Sequence, residues 1–592
     1  MKKINTAFLL LILISPCVHF IAFDPRVLDW QVVYIQSIIL LFSIFTFSHL
    51  LTKKITIVLT PADYIVFFFI LVSFLRLIFT DYFSPKNETL LNLLLFLILY
   101  ISLRSIEIKL IENIINFAFP AAGLLFSLYG MLQFSGILKY NNPFFKMGGP
   151  FANPSMFANF LCLTIPFSII NIYKSCIEKG VLFRILMITS ASFSFVVVLL
   201  GLERSSLVGI VVGLIIIAAG KITMSNPSGF FSLLSNGKKT AIVITIAAAG
   251  MLALYLLRPT SAHGRILIYQ NTLTLIKDYP LFGIGPGKFP AVYPLYQSNY
   301  FNALQQSTSD QLVADNVQVA FNEYLQIVAE LGLPGLILIV LGLSYWIKLV
   351  KKTYNSYQPS VSPPVIASLS SIAAVAIFSY PFRDFVILSY VVILISAVRP
   401  RDEKSVEYTL TPLVRNGVLS TLLVIAMGTG IINSYLTNAQ YKWEILALSQ
   451  EDSDKKLKKY NEIYSTLDNN GRFLYNYGVE LSTDNDYMQS LTMLEKAGKY
   501  FTNTDLLVYL GDDYLGIKNY EKAKEYYMKA VTMVPKKFLP KYALMQYYQT
   551  IHNKRSADSL AEKILTAKII YPSAEIYTIK GQALELLKDC NQ

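Results

Sequence analysis

Three arginines at turns between apolar runs are the residues of this chain best suited to chemistry. Arg265 stands in HGRILIYQNTLTLIKDYP, Arg204 in GLERSSLVG and Arg383 in SYPFRDF. A guanidinium pairs bidentately with phosphate oxygens. For Arg265, chemistry alone leaves two readings even: it snorkels to lipid phosphate, or it clamps the phosphate of a substrate. Arg204 has almost no loop around it. A charge so near hydrocarbon usually faces a polar cavity or a partner, and that reading is favoured over a local ion pair with Glu203. Arg383 and Asp384 read first as an exposed loop pair.

Two further groups are candidates for proton transfer. Glu323 opens the helix FNEYLQIVAELG and shares a face with Glu330, two turns on. It faces a cavity, or it simply occupies the N-terminal end of a helix dipole. His263 lies two residues before Arg265; imidazole is the side chain suited to base work near neutral pH, and the plainer reading is a solvated loop histidine. GIGPGKF, with Gly283, Gly285 and Gly287, is not a nucleotide loop. No strand precedes it, no βαβ unit surrounds it, and the Walker lysine–serine pair is missing. It reads as a tight turn that brings backbone close to something. Gly209 and Gly213 form a GxxxG that reads as helix packing.

The elements that must position these groups are membrane spans. The chain has 592 residues, 54% hydrophobic and only 15% charged, against roughly 25% charge in soluble domains. Runs such as 182–200 and 239–257 are long enough to cross a hydrocarbon core of about 30 Å. The reading gives about 12–13 spans, near 5–22, 32–51, 63–80, 89–105, 114–135, 154–172, 182–200, 203–220, 239–257, 322–347, 363–380, 384–398 and 416–433. The net charge of +13 sits largely in short loops between spans, so it sets topology and implies no nucleic acid. Alternate loops hold Lys2/Lys3, Lys53/Lys54, Arg104/Lys109, Lys174/Lys179/Arg184, Lys221/Lys238/Lys239, Lys348/Lys351/Lys352 and Arg399/Arg401/Lys404/Arg415, which the positive-inside rule places in the cytoplasm. The sparser set, Arg26, Lys86, Lys139/Lys146, Arg204 and Arg383, then faces outside, together with the polar island at 258–320 and the tail after 433. Four cysteines without CxxC spacing imply no disulfide framework and no metal site. Lys2 and Lys3 before an apolar run lack a following A-x-A site, so an uncleaved first span is expected.

The tail has its own repeat. Leu507, Gly511, Tyr514, Ala523, Tyr527, Ala530 and Pro535 match tetratricopeptide spacing, and Gly478, Ser490 and Ala497 stand 33 residues before Gly511, Ala523 and Ala530. A weaker unit follows with Leu544, Tyr548 and Ala557. The expected fold is all-α: N-terminal transmembrane helices (1–257), an extracytoplasmic loop (258–320), C-terminal transmembrane helices (321–433) and a tetratricopeptide α-solenoid (434–592). The solenoid would hold an acceptor or a partner protein.

The ordered motifs resemble the O-antigen ligase and polymerase family of bacterial membrane glycosyltransferases. GGPFANPSMFANFL (148–161) is similar to its G-x-F-x-N-P-N-x-x-A segment, GLERSS to its S-R-x-x span start, GRILIYQNTLTLIKDYPLFGIGPGKF to its G-R-x-x-x-W…D-x-P-L-x-G-x-G-x-G-x-F segment, and AFNEYLQIVAELGLPGL to H-N-x-x-L-x-x-x-x-E-x-G-x-x-G-L. The likeness runs over roughly residues 30–400. It implies an inner-membrane enzyme with a cytoplasmic N-terminus, acting on its periplasmic face. The donor would be a glycan on undecaprenyl pyrophosphate, the acceptor a lipid, protein or glycan, and neither cofactor nor metal would be needed. It maps pyrophosphate binding onto Arg204 and Arg265, with Arg383 a third candidate. One departure stands out: Phe321 occupies the position of the family's histidine. Glu323 is then the first candidate base and His263 the second.

Overall fold

A long apolar segment in hydrocarbon must close its hydrogen bonds within itself, which selects the helix. The computed structural model of the protein describes residues 2–20, 29–52, 56–140, 142, 145–178, 180–219, 259–303, 308–354, 361–400, 406–409, 411–570 and 572–589. The first half comprises α1 (Lys2–Leu13), α2 (Trp30–Leu50), α3 (Pro61–Ile78), α4 (Glu88–Arg104), α5 (Ile108–Phe134), α6 (Pro154–Glu178), α7 (Val181–Gly201) and α8 (Arg204–Ala219). The island supplies α9 (Pro259–Asp278), α10 (Phe289–Ala303) and α11 (Thr308–Val313), and the bundle resumes with α12 (Glu323–Tyr354), α13 (Pro363–Val375), α14 (Phe385–Ser396) and α15 (Pro412–Leu448). Seven of these described helices, α2, α3, α5, α6, α7, α12 and α15, are long and apolar enough to cross a membrane, and α8, α13 and α14 are shorter apolar helices. The expected span at 239–257 lies outside the described residues.

One expectation changes. The stretch 5–22 is not one α-helix: α1 stops at Leu13 and a tighter 3-10 turn covers Ser15–Phe20, because Pro16 brings no N–H to continue the ladder. The all-α class is kept, with one short strand pair added to it. Thr56–Leu59 (β1) pairs antiparallel with Val406–Thr409 (β2), Thr56 opposite Thr409.

The contacts sort the loops onto two ends of the bundle. At one end Lys2 meets Glu107 at 2.9 Å, Arg104 pairs with Asp63, and Arg399 donates to the carbonyls of Leu103 and Ile106, each at 2.8 Å. This is the end of the basic loops, and the β1–β2 pair lies with it, through the Arg104 donation to the Val58 carbonyl. At the other end Gln31 donates to the Pro150 carbonyl at 2.7 Å, and Lys86 bonds Asp468 of the tail at 3.1 Å. The sparse loops, the island and the tail share that end.

The tail consists of α16 (Ser453–Leu467), α17 (Gly471–Thr483), α18 (Tyr487–Ala497), α19 (Thr504–Gly516), α20 (Tyr520–Met533), α21 (Leu539–Thr550), α22 (Lys554–Thr566) and α23 (Ala574–Asp589). Three hairpins repeat one geometry. Asn485, Lys518 and His552 turn the chain at φ 65°, 62° and 56°, and the following Asp486, Asn519 and Asn553 cap the second helix of each pair. A Cβ on Gly478 would lie 2.6 Å from Leu494, and one on Gly511 2.5 Å from Tyr527, so the same step of the first two hairpins requires glycine. The tail is bolted to the island through buried polar groups. Gln297 donates to the Met533 carbonyl at 2.6 Å, Ser298 bonds Thr532 at 2.7 Å, and Thr502 donates from its backbone and hydroxyl to Pro290 and Ala291, both at 3.0 Å.

Gly209 and Gly213 do pack helices. A Cβ on Gly209 would meet the Ser371 carbonyl of α13 at 2.8 Å, and one on Gly213 the Ser371 hydroxyl at 2.2 Å. Gly209→Leu should therefore cost about 1–3 kcal/mol through forced overpacking, read as a lower melting temperature in detergent; an unchanged melt would contradict this packing. In the tail, Asp513 is buried and accepts hydrogen bonds from the Ser482 and Ser490 hydroxyls, while burial pushes its carboxyl up to about 6. Because this folded value lies above the ordinary one, its contribution is full at low pH and is lost as pH rises to about 6. Amide exchange in α17–α20, corrected for intrinsic rates, should be slower at pH 5 than at pH 7. Asp513→Asn should remove most of that difference.

Candidate functional site

The site is organised by a break in α12. Its sequence AELGLPG places Gly332 at φ 64°, ψ −143°, outside helical space, and Pro334 has no N–H to offer the Glu330 carbonyl. The Leu333 N–H turns instead to Pro280, at 2.9 Å. Two helix carbonyls are thereby released, and the GIGPGKF turn takes both: Ile284 N–H donates to Ala329 and Gly285 N–H to Glu330, each at 2.9 Å. Gly283, Gly285 and Gly287 all have positive φ, and a Cβ on Gly283 would lie 2.4 Å from the Glu330 backbone. The turn does bring backbone close to something, and that something is the broken helix. Arg76 of α3 secures it by donating to the carbonyls of Phe282 and Gly283 at 2.8 and 2.9 Å.

Glu330 is the centre of this joint. One carboxylate oxygen accepts the Gly287 N–H at 2.9 Å; the other accepts from Gln326 at 2.9 Å and from Arg383 at 3.1 Å. Arg383 is thus not an exposed loop pair with Asp384. It is ion-paired to Glu330, while Asp384 caps α14 by accepting from Ile387 N–H at 3.0 Å. Glu323 is buried; its carboxylate accepts the Phe382 N–H at 2.9 Å and its own N–H donates to Ala376 at 2.9 Å. Both glutamates of this face hold the 376–383 turn.

Arg265 stands differently. Its guanidinium lies 5.7 Å from the centre of the Phe321 ring, a cation–π distance, and among the described residues no carboxylate forms an ion pair with it. Phe321 has φ 52°, a strained conformation for a bulky residue. Tyr269, on α9, donates its hydroxyl to the Phe321 carbonyl at 3.1 Å, and the Phe321 ring meets Tyr380 edge-on with centroids 5.1 Å apart. The Tyr380 hydroxyl accepts from Asn153 at 2.9 Å. Burial raises both phenols; Arg265 opposes the rise at each, and Glu203 adds to it at Tyr380. Behind them Asn159 donates to Ser379 at 3.3 Å and accepts from Ser206 at 2.9 Å. Arg204 begins α8 two residues after Leu202, which is left-handed at φ 52°. Segments 148–161, 202–206, 264–289 and 320–336 therefore converge on one mouth.

His263 sits within α9, not in a loop, and bonds Asp310 at 2.5 Å; Asp310 also accepts from Tyr300 at 3.0 Å. Residues two apart on a helix do not share a face, so His263 and Arg265 point to different partners. The apolar residues of α9 face two ways: Ile268 is buried in the island core and Ile276 packs against it, whereas Ile266 and Leu273 are exposed. Sequence reasoning missed Arg76, Asn153, Asn159, Tyr269, Asp310 and Tyr380. Tyr269 and Asn153 lie within the quoted motifs and were within its reach; Arg76 and Asp310 carry no local signal.

Fold and contacts define a multi-pass membrane protein in which Arg265 of α9 meets Phe321 just ahead of the broken helix α12. Residues 189–340 match the family described as O-Antigen ligase. The match takes in Arg204, His263, Arg265, Phe321, Glu323 and Glu330, and leaves Asn153, Arg383 and the tail outside it. No curated protein matches the chain. The family match supports a membrane glycosyltransferase of the O-antigen ligase or polymerase type.

Removing the Glu330 carboxylate strands the Gly287 N–H and the Arg383 charge, a cost of about 1–3 kcal/mol for the amide alone. Glu330→Ala should speed hydrogen exchange across residues 283–288 while leaving the tail hairpins unaffected. Wild-type exchange there would remove Glu330 as the joint.

Proposed function

We propose that the protein transfers an oligosaccharide from undecaprenyl pyrophosphate to an acceptor hydroxyl on the periplasmic face of a bacterial inner membrane. The observation that carries this reading is Arg265 at the mouth, stacked on an aromatic ring and not neutralised by a carboxylate. A cation–π contact orients a guanidinium and leaves its charge for an anion. Arg204 is proposed as a second cation there, since Ser206 of the same helix start bonds Asn159, and Arg383, held by Glu330, as a third. In the reaction the acceptor oxygen bonds to the anomeric carbon, the bond from that carbon to the pyrophosphate oxygen breaks, and the acceptor proton passes to a base. The arginines stabilise charge growing on the departing pyrophosphate, the kind of preorganised electrostatics that is often the largest catalytic term.

Phe321 cannot take the proton. Glu323 is the first candidate base, being a carboxylate two residues away and fixed by the Phe382 N–H. His263 is the second, and Asp310 would fix its ring orientation. The tail hairpins are read as tetratricopeptide repeats, whose bonds to the island hold an acceptor or partner protein beside the mouth. The donor isoprenoid lies in the bilayer. Acceptor candidates are lipid A core, protein Ser/Thr and another glycan chain, the last making the protein a polymerase. A non-catalytic scaffold is the competing reading, and Phe321 is the observation in its favour.

Arg265→Ala in purified protein supplied with lipid-pyrophosphate glycan should lower transfer at least 100-fold at unchanged membrane level, by analogy with removal of a preorganised oxyanion donor. Transfer at the wild-type rate would eliminate the pyrophosphate clamp. Glu323→Gln should lower the rate and His263→Ala should not. The reverse outcome would move the base to His263, and absence of transfer by the wild type would leave the scaffold.

A further inference from the structure

At the same end of the bundle, α2 and α15 leave an open groove of about 290 Å³ between them. Trp30 and Tyr441 form one wall, their rings meeting edge to face with centroids 6.2 Å apart. Ser37, Asn433, Thr437 and Asn438 line the rest, and Asn433 is held by donating to Gln36 at 2.9 Å. The described lining carries hydroxyls, carboxamides and aromatic rings and no charged side chain. Carboxamides and hydroxyls both donate and accept, which suits the hydroxyls of a sugar ring. Aromatic side chains supply an apolar body with a polar tip, which suits the C–H face of the same ring.

Position points the same way. Gln31, beside Trp30, is buried and donates to the Pro150 carbonyl at 2.7 Å. Asn153, three residues further on, bonds Tyr380 at the arginine mouth. Three residues reach at most about 10 Å, so groove and mouth flank one loop. Asn433 stands roughly 31 Å along α15 from Pro412 at 1.5 Å per residue, about the thickness of the hydrocarbon core. The groove therefore lies at the membrane interface on the side of the tail.

We infer that this groove holds a sugar unit of a glycan, a few units from the reacting end. The inference rests on the glycan-transfer reading above and adds where the glycan lies. A phospholipid headgroup is the rival occupant of an interfacial groove, but its phosphate calls for a cation, and none is among the described residues of the lining. The sugar has two sources, the lipid-linked donor or an acceptor glycan.

The test is saturation-transfer NMR on the full chain in nanodiscs, with lipid-free glycans as probes. One arm uses oligosaccharide released by mild acid from the host's lipid-linked pool, the other oligosaccharide released from its surface glycoconjugates. At least one arm should respond, and the responding arm names the source. The response should fall at least tenfold in the double variant Thr437→Ala/Asn438→Ala, whose positions lie on the outer face of α15, and persist in Arg265→Ala. No response in either arm, an undiminished response in the double variant, or a phospholipid headgroup seated in the groove in a nanodisc structure would overturn the proposal. Sugar binding without any transfer by the wild type would defeat the transferase reading and leave the groove standing. Transfer with a groove variant that still binds sugar normally would defeat the groove alone.

Discussion

The arrangement of the mouth depends on a helix that cannot finish its own hydrogen bonds. Gly332 and Pro334 release the carbonyls of Ala329 and Glu330, and a released carbonyl buried away from water must find a donor. The GIGPGKF turn supplies two N–H groups, and its glycines permit the approach that any Cβ would block. Glu330, at the break, adds its side chain to the same joint and extends it to Arg383. One defect in a span thus fixes the island against the bundle, the 376–383 turn against α12, and through α10 the tail against both.

The arginines of the protein divide by how their charge is answered. Arg104 is paired with Asp63 and Arg383 with Glu330, while Arg76 and Arg399 are spent on backbone carbonyls. Each of those four contacts ties one part of the fold to another. Arg265 is set against Phe321 and is oriented without being neutralised. This distinction separates a cation answered by a carboxylate or carbonyl from one set on an aromatic ring, and residue type alone does not make it. The strained backbone of Phe321, whose carbonyl receives the Tyr269 hydroxyl, fits a ring placed by its surroundings.

The sequence carried the features that repeat or that follow from local chemistry. Loop charges divided the turns into two sets, and the contacts put Lys2, Arg104 and Arg399 at one end and Lys86, the island and the tail at the other. The tail period was legible because each of the three hairpins has a left-handed turn residue, and the first two have a close glycine at the same step. GIGPGKF was readable as a turn because its glycines speak for themselves, but its partner was not, since Glu330 lies over forty residues away. Arg383 was misread for the same reason, its ion pair being a matter of tertiary placement. Which apolar residues of 259–278 face the island core was not legible, since that helix carries them on two sides. The family match covers 189–340 only, and Asn153 and Tyr380 enter the mouth from outside it.

The central claim is that Arg265 is the cation that receives pyrophosphate. Titrating undecaprenyl pyrophosphate, without sugar, into wild-type and Arg265→Ala protein in nanodiscs and following the ³¹P resonance tests it most directly. The account predicts saturable binding by the wild type that weakens with salt, and at least a tenfold loss of affinity in the variant. Equal affinity in the two proteins would contradict it.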